Sequence, residues 1–368
     1  MSTAIINANI FTGNAVVTGK AILVRNGIIE NIVSLEKVPS DYHVEDLQGL
    51  NISPSFIDLQ IYGGNGRMFS HELSEAALQS TYEYCLSGGC SHFMITMATN
   101  SIENFLKGID EVQRYWDNGG KGVLGLHLEG PYLNPVKKGA HVEHYIRKPT
   151  IEEVQQLLGR RTGVVKMITI APEVCDENVL DYLLNQGIIV SAGHTNAKYQ
   201  EATDAFNKGI PVATHLYNAM SPLQHREPGM VGAILDHSRA MSSIVCDGVH
   251  VDYVAVRISK QILKERLFFI TDAVAEVTEG EYRHIFKGDR YTLADGTLSG
   301  SSLTMMNCVK NAVQYAGIPL DEALRMASAY PAKLLGGRFK LGKIEKDYES
   351  SFVVFNDKLE MIKMIYAA

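Results

Sequence analysis

Residues 122–131, GVLGLHLEGP, form a short apolar run that stops at Gly-Pro and carries two polar residues, His127 and Glu129. In a strand, successive side chains alternate between faces. Gly125, His127 and Glu129 therefore share one face, and Leu124, Leu126 and Leu128 the other. Two readings of the stretch stand side by side: a buried strand delivering a carboxylate to a site, or a salt-bridged glutamate beneath a loop. Its surroundings settle the fold. Similar short apolar strands are expected at Phe56–Ile61, His92–Met97, Lys166–Ala171, Ile188–Gly193, Val212–Leu216, Ser243–Asp247 and Leu267–Asp272. Amphipathic helical patterns lie between most of them, at Ser74–Leu86, Ile102–Trp116, Glu152–Leu158, Glu177–Gln186, Lys198–Lys208 and Val254–Lys264. Strands alternating with helices specify β-α units and a parallel sheet. Eight such strands within residues 53–341 fit an α/β fold of the (β/α)8, TIM-type barrel kind. A doubly wound sheet would want G-x-G-x-x-G opening a helix after the first strand. Here Gly63-Gly64-Asn65-Gly66 leads into no helical pattern.

Both ends of the chain read as β. Residues 1–52 carry strand composition at Ala4–Ile10 and Ala21–Val24, and Asn26-Gly27 before Ile28-Ile29 marks a hairpin turn. Strand composition returns over 342–368, most clearly at Ser351–Phe355. The two ends are expected to form one small discontinuous β-sandwich domain beside the barrel.

At 368 residues and 46% hydrophobic, the chain can bury a large core. The net charge is −7, and its 34 Lys and Arg form no basic block, which argues against a nucleic-acid partner. Five scattered cysteines with no C-x-x-C read as reduced thiols, not as a disulfide framework or a Cys-ligated zinc site. The N-terminus lacks a signal-peptide pattern, and no run reaches the ~20 apolar residues of a membrane span. A soluble, cytoplasmic protein is expected.

In a barrel, chemistry gathers at the C-terminal ends of the strands. There the sequence places Glu129 on strand 3, His194 on strand 5, His215 on strand 6, Asp247 and His250 on strand 7, and Asp272 on strand 8. A single strand-end histidine is more often structural than functional. Five polar ends on one rim are not explained by packing. Imidazole nitrogen and carboxylate oxygen together suit a borderline cation such as zinc, which in catalytic sites keeps three protein ligands and a water.

The motifs SPSFIDLQIYGG (53–64), GLHLEGPYLNPVKKGAH (125–141), SAGHTNA (191–197), ATHLYNAM (213–220), REPGMVGAILD (226–236), DGVHV (247–251), TDA (271–273) and SGSSLTM (299–305) carry a resemblance that runs nearly end to end. The chain resembles the amidohydrolase superfamily and, within it, the N-acetylglucosamine-6-phosphate deacetylase family. The resemblance implies metal-dependent removal of the N-acetyl group of N-acetylglucosamine 6-phosphate. It implies one divalent metal per subunit, zinc foremost, held by Glu129, His194 and His215, with Asp272 as the catalytic acid/base. It places His141 beside the acetyl carbonyl, and the Asn218-Ala219 backbone, Arg226 and His250 at the sugar phosphate. Arg226 would reach in from the partner subunit of a homodimer. Most of the superfamily carries H-x-H at the end of strand 1, where this chain has Gln60 and Tyr62, so a mononuclear site is implied. Ser55 also replaces the usual glycine of a P-G-F-I-D turn.

Other polar residues read differently. His127 is expected inside the barrel or behind the ligands, and His144 and His237 in loops. His225 adjoins Arg226. Ser299–Ser302 reads as the N-cap of a helix beginning near Leu303 more readily than as a phosphate cradle. Two rival functions are another amidohydrolase, such as a dihydroorotase or base deaminase, and a catalytically silent sugar-phosphate sensor. The missing H-x-H, the THLYNAM and REPG motifs, and Lys166 lying at the wrong end of strand 4 count against the first. The complete Glu/His/His/Asp set counts against the second.

Overall fold

Eight strands pair side by side in chain order, each parallel to the next: β1 (Phe56–Ile61), β2 (Cys90–Ala98), β3 (Val123–Glu129), β4 (Val165–Ile170), β5 (Ile189–Ala192), β6 (Val212–Ala213), β7 (Met241–Ile244) and β8 (Leu267–Phe269). The computed structural model describes residues 2–337 and 339–366. The sheet closes on itself just past β8, where Ile61 bridges Ala273. Across that seam the Asp272 N–H donates to the Gln60 carbonyl (3.0 Å) and the Tyr62 N–H to the Ala273 carbonyl (2.9 Å). β1 and β3 are buried along their whole length, as strands covered on both faces must be.

A helix follows each strand: α1 (Glu75–Ser87), α2 (Ile102–Asp117), α3 (Ile151–Gly159), α4 (Glu177–Leu184), α5 (Tyr199–Lys208), α6 (Gly229–Asp236), α7 (Tyr253–Leu263) and α8 (Met305–Gln314). Ser74, Ser101 and Thr150 cap α1, α2 and α3 by accepting from the N–H of Ala77, Asn104 and Glu153. α2 buries Phe105, Ile109, Val112 and Tyr115 against the barrel, the 3.6-residue spacing that marks it as amphipathic.

The two ends of the chain are knitted together. In a five-stranded sheet, the tail strand Phe352–Phe355 pairs antiparallel with Asn51–Pro54, which runs parallel to Asn9–Phe11. A four-stranded sheet from the head lies beside it, and Ile5, Ile10, Ile22, Ile29, Ile52, Phe352 and Val354 share one buried cluster. The Asn26-Gly27 hairpin is present, with Arg25 opposite Ile28 and both turn residues at positive φ.

Three features differ from the sequence expectation. Asn51–Pro54 is a central strand of the sheet made by the two ends, running across the expected boundary between residues 52 and 53. An antiparallel sheet of Ile285–Phe286, Arg290–Thr292 and Leu298–Ser301 is inserted between β8 and α8. Ser299–Ser301 therefore lie in a strand, and the cap of α8 is Thr304, whose hydroxyl accepts from the Asn307 N–H. The barrel strands also stop short of their polar ends. β5, β6 and β8 finish at Ala192, Ala213 and Phe269, before His194, His215 and Asp272.

Candidate active site

The early strand ends have a backbone cause. His194, His215 and Asp272 have φ of +49°, +35° and +53°, the left-handed region that a continuing strand cannot use. Such residues persist where neighbours fix them. The His215 N–H donates to Ser243 Oγ at 2.8 Å. The Asp272 carbonyl accepts from the Ser301 N–H at 2.9 Å, and the His194 carbonyl from the Asn134 N–H at 2.9 Å. All three side chains line a cavity of about 160 Å³ at the C-terminal rim, together with Glu129, His141, Asn218, Ala219 and His250.

Glu129, the last residue of β3 and 1% exposed, is the centre. Oε1 lies 3.1 Å from His215 Nε2 and 3.3 Å from His194 Nε2, and Oε2 lies 3.1 Å from His141 Nε2. Burial opposes the Glu129 charge, but His141 and His194 hold the carboxyl well below the usual carboxylate range.

Hydrogen bonds on the far side of the His194 and His141 rings set these two apart. The Nδ1 of His194 faces the Lys137 carbonyl at 2.9 Å, so Nδ1 carries the proton and Nε2 keeps its lone pair. Burial, and then the neighbouring His141, push His194 down to about 4, which keeps that ring neutral. His141 is wired the other way. Its Nδ1 accepts from the Thr99 N–H at 3.2 Å, which leaves the proton on Nε2. His141 thus offers a hydrogen-bond donor, although its position alone would group it with Glu129 and His194 as a ligand. The Nε2 atoms of His194 and His215 are 3.1 Å apart. Donors around a tetrahedral cation at about 2.1 Å stand about 3.4 Å from one another. Glu129, His194 and His215 therefore fit a divalent cation in donor type and spacing, and His194 also in tautomer.

Asp272 lines the same cavity, its Oδ1 2.9 Å from the Gln60 Nε2 that lies 3.0 Å from Glu129 Oε1. Burial, and beyond it the Glu129 charge, raise its carboxyl above the ordinary range, against the pull of His215. Beneath it the fully buried Asp58 accepts from the N–H groups of Gln60 and Thr271, each at 3.2 Å, and from the Thr271 hydroxyl. Burial outweighs these donors and pushes Asp58 up to about 7. Its proton is held more tightly folded than unfolded, where the group titrates near ~3.9. The stabilisation is therefore complete below about pH 4 and lost as pH rises through about 7, by up to about 4 kcal/mol. Asp58→Asn is expected to flatten the stability–pH curve between those limits, measured by urea unfolding across pH 4–8. An unchanged slope would refute it.

The remaining sequence candidates divide. His250 Nδ1 is held 2.6 Å from Asp247 Oδ2, with the ring at the cavity wall. Arg226 and His225 are exposed and do not line the cavity. His127 sits inside the barrel, with Nε2 2.7 Å from Thr169 Oγ1. His144 pairs with Glu281 in a loop at 3.3 Å. Sequence reasoning missed one wall. His284, buried with Nδ1 3.0 Å from Ser299 Oγ, lines the cavity with Tyr282, whose hydroxyl donates to the Thr99 carbonyl at 2.6 Å. The alternation of Tyr282 and His284 before a short strand was the available signal.

Comparison with known proteins matches residues 51–367 to the amidohydrolase family and residues 3–52 to the NagA composite domain. An N-acetylglucosamine-6-phosphate deacetylase of Haemophilus influenzae is 39% identical, over 98% of this chain and 97% of the relative. The crystal structure of N-acetylglucosamine-6-phosphate deacetylase from Pasteurella multocida superposes with a TM-score of 0.94 at 37% identity, covering 100% of this chain and 99% of that one. An N-acetylgalactosamine-6-phosphate deacetylase of Escherichia coli O157:H7 is 31% identical, over 90% of this chain and 89% of the relative.

Proposed function

The chain belongs to the amidohydrolase family, and from that premise we propose that it hydrolyses N-acetylglucosamine 6-phosphate to glucosamine 6-phosphate and acetate. The observation that carries this reading is the set of groups in one cavity: a carboxylate with two imidazole nitrogens within 3.3 Å of it, and Asp272 lining the same cavity. Zinc, one ion per subunit, is the proposed metal, held by Glu129, His194 and His215. A cation bound there supplies Lewis acidity, polarising the acetyl carbonyl and acidifying a water. Asp272 accepts the proton of the attacking water and returns it to the leaving amine nitrogen. His141 donates its Nε2–H to the oxygen that gains negative charge, a role worth about 3 kcal/mol for a well-placed donor. The metal-replete protein is expected to release free acetate from N-acetylglucosamine 6-phosphate. No release above background would reject the reading.

His250 and the Asn218-Ala219 backbone are proposed to hold the sugar phosphate from within the chain. Arg226 is proposed to complete the neighbouring site in a homodimer, which accounts for its exposure outside its own cavity. A guanidinium binds a phosphate through two parallel N–H bonds. Arg226→Ala is therefore expected to raise KM for the phosphorylated sugar roughly 10- to 100-fold, the loss of about 1.5–3 kcal/mol. An unchanged KM would remove Arg226 from the phosphate site. The five thiols are unpaired, which supports work in the reducing cytoplasm. Among the described residues no helix is long and apolar enough to cross a membrane. The head up to residue 52 and the tail from 342 are read as one small domain bracing the barrel, supported by the sheet they share.

A further inference from the structure

Gln60 is 1% exposed on β1, inside the barrel and directly below the cavity. Its orientation is set by the carboxylates on one side, which call for the N–H end, and leaves Oε1 to accept from the Thr214 hydroxyl on the other. On the carboxylate side Nε2 lies 3.0 Å from Glu129 Oε1 and 2.9 Å from Asp272 Oδ1. A carboxamide nitrogen carries two hydrogens, one for each carboxylate oxygen. The Tyr62 hydroxyl, 3.0 Å from the same nitrogen, donates to the other Glu129 oxygen. Residues 60 and 62 share one face of the first strand and end, so both aim into the site, and both bring protons where lone pairs would be needed to bind a cation.

We propose that the Gln60 carboxamide is a positioning clamp, joining the ligand Glu129 to the acid/base Asp272 and holding the two carboxylates at a fixed separation. Two carboxylates gathered around one nitrogen repel each other in a site with little water. Without the two N–H donors, Asp272 turns away from the attacking water and Glu129 loses the bond that aims Oε1. Gln60 touches no reacting atom. Its effect passes through its two partners, and it rests on the roles given to them above.

Two substitutions test it. Gln60→Met keeps the length of the side chain and removes every donor. Gln60→Leu keeps an uncharged side chain of similar volume and likewise removes the N–H groups. In both, kcat of the metal-saturated protein on N-acetylglucosamine 6-phosphate is expected to fall roughly 10- to 100-fold, with KM within about threefold of wild type. Chelator competition is expected to show zinc bound roughly 10- to 100-fold more weakly. If either variant keeps both kcat and zinc affinity within about threefold of wild type, the clamp is refuted. A wild-type protein that releases no acetate would instead reject the substrate assignment, and the zinc competition would still decide the Glu129 arm.

Discussion

Asp272→Asn is expected to bind metal at the wild-type level and to lose turnover by about 10²- to 10⁴-fold, the range for a positioned acid/base. The asparagine keeps the side-chain shape, and the backbone of residue 272 stays pinned by its bonds to Gln60 and Ser301. What disappears is a group able both to take and to return a proton. The environment of Asp272 suits that double duty. Burial and the Glu129 charge raise its pKa, making it a better base than an ordinary carboxylate, while His215 limits the rise. Because the carboxylate must start ionised, activity is expected to fall as pH drops through the Asp272 pKa. Acetate release and metal analysis on the same preparation check the outcome. Wild-type-like turnover would sink the assignment.

Glu129→Ala is expected to abolish both metal binding and activity. Among the described residues, Glu129 is the acidic member of the cluster that can supply a metal-ligating oxygen, and three imidazoles converge on it. Removing it leaves two imidazole nitrogens facing each other across 3.1 Å, with no negative charge to hold a cation between them. Metal content of the purified variant should fall to background. A thermal shift provides a second reading that needs no substrate. A ligand at 100 times its Kd stabilises by about 2.7 kcal/mol, so added zinc should raise the wild-type Tm and leave the variant's unchanged. A metal-replete, active Glu129→Ala protein would dismiss the ligand set.

The barrel was readable because its strands are covered on both faces and so stand out as apolar runs between amphipathic helices. The polar residues that gather in the cavity were readable because such residues at the ends of apolar runs are conspicuous. Strand length was not. Val212–Leu216 looks like one strand, but it pairs only through Ala213, because His215 adopts a left-handed turn that no apolar pattern announces. Asn51–Pro54 reads as punctuation, and becomes a strand because its partner, Phe352–Phe355, arrives three hundred residues later. The role of His141 as a donor depends on which ring atom meets the Thr99 N–H, which the string HVEH does not encode. Gln60 was legible only as a missing histidine. Its proposed work depends on Glu129 and Asp272, the carboxylates its nitrogen meets.

The seam between β1 and the end of β8 sets a timetable. As the chain emerges during synthesis, residues 1–215 already contain Gln60, Glu129, His194 and His215, but not Asp272. The segment that brings Asp272 also makes the closing bonds to Gln60 and Tyr62, and Ser301 then fastens the far side. If Asp272 has the role proposed for it, catalytic competence therefore waits on ring closure. A fragment released early would carry the residues proposed to hold the metal without the one proposed to move the proton.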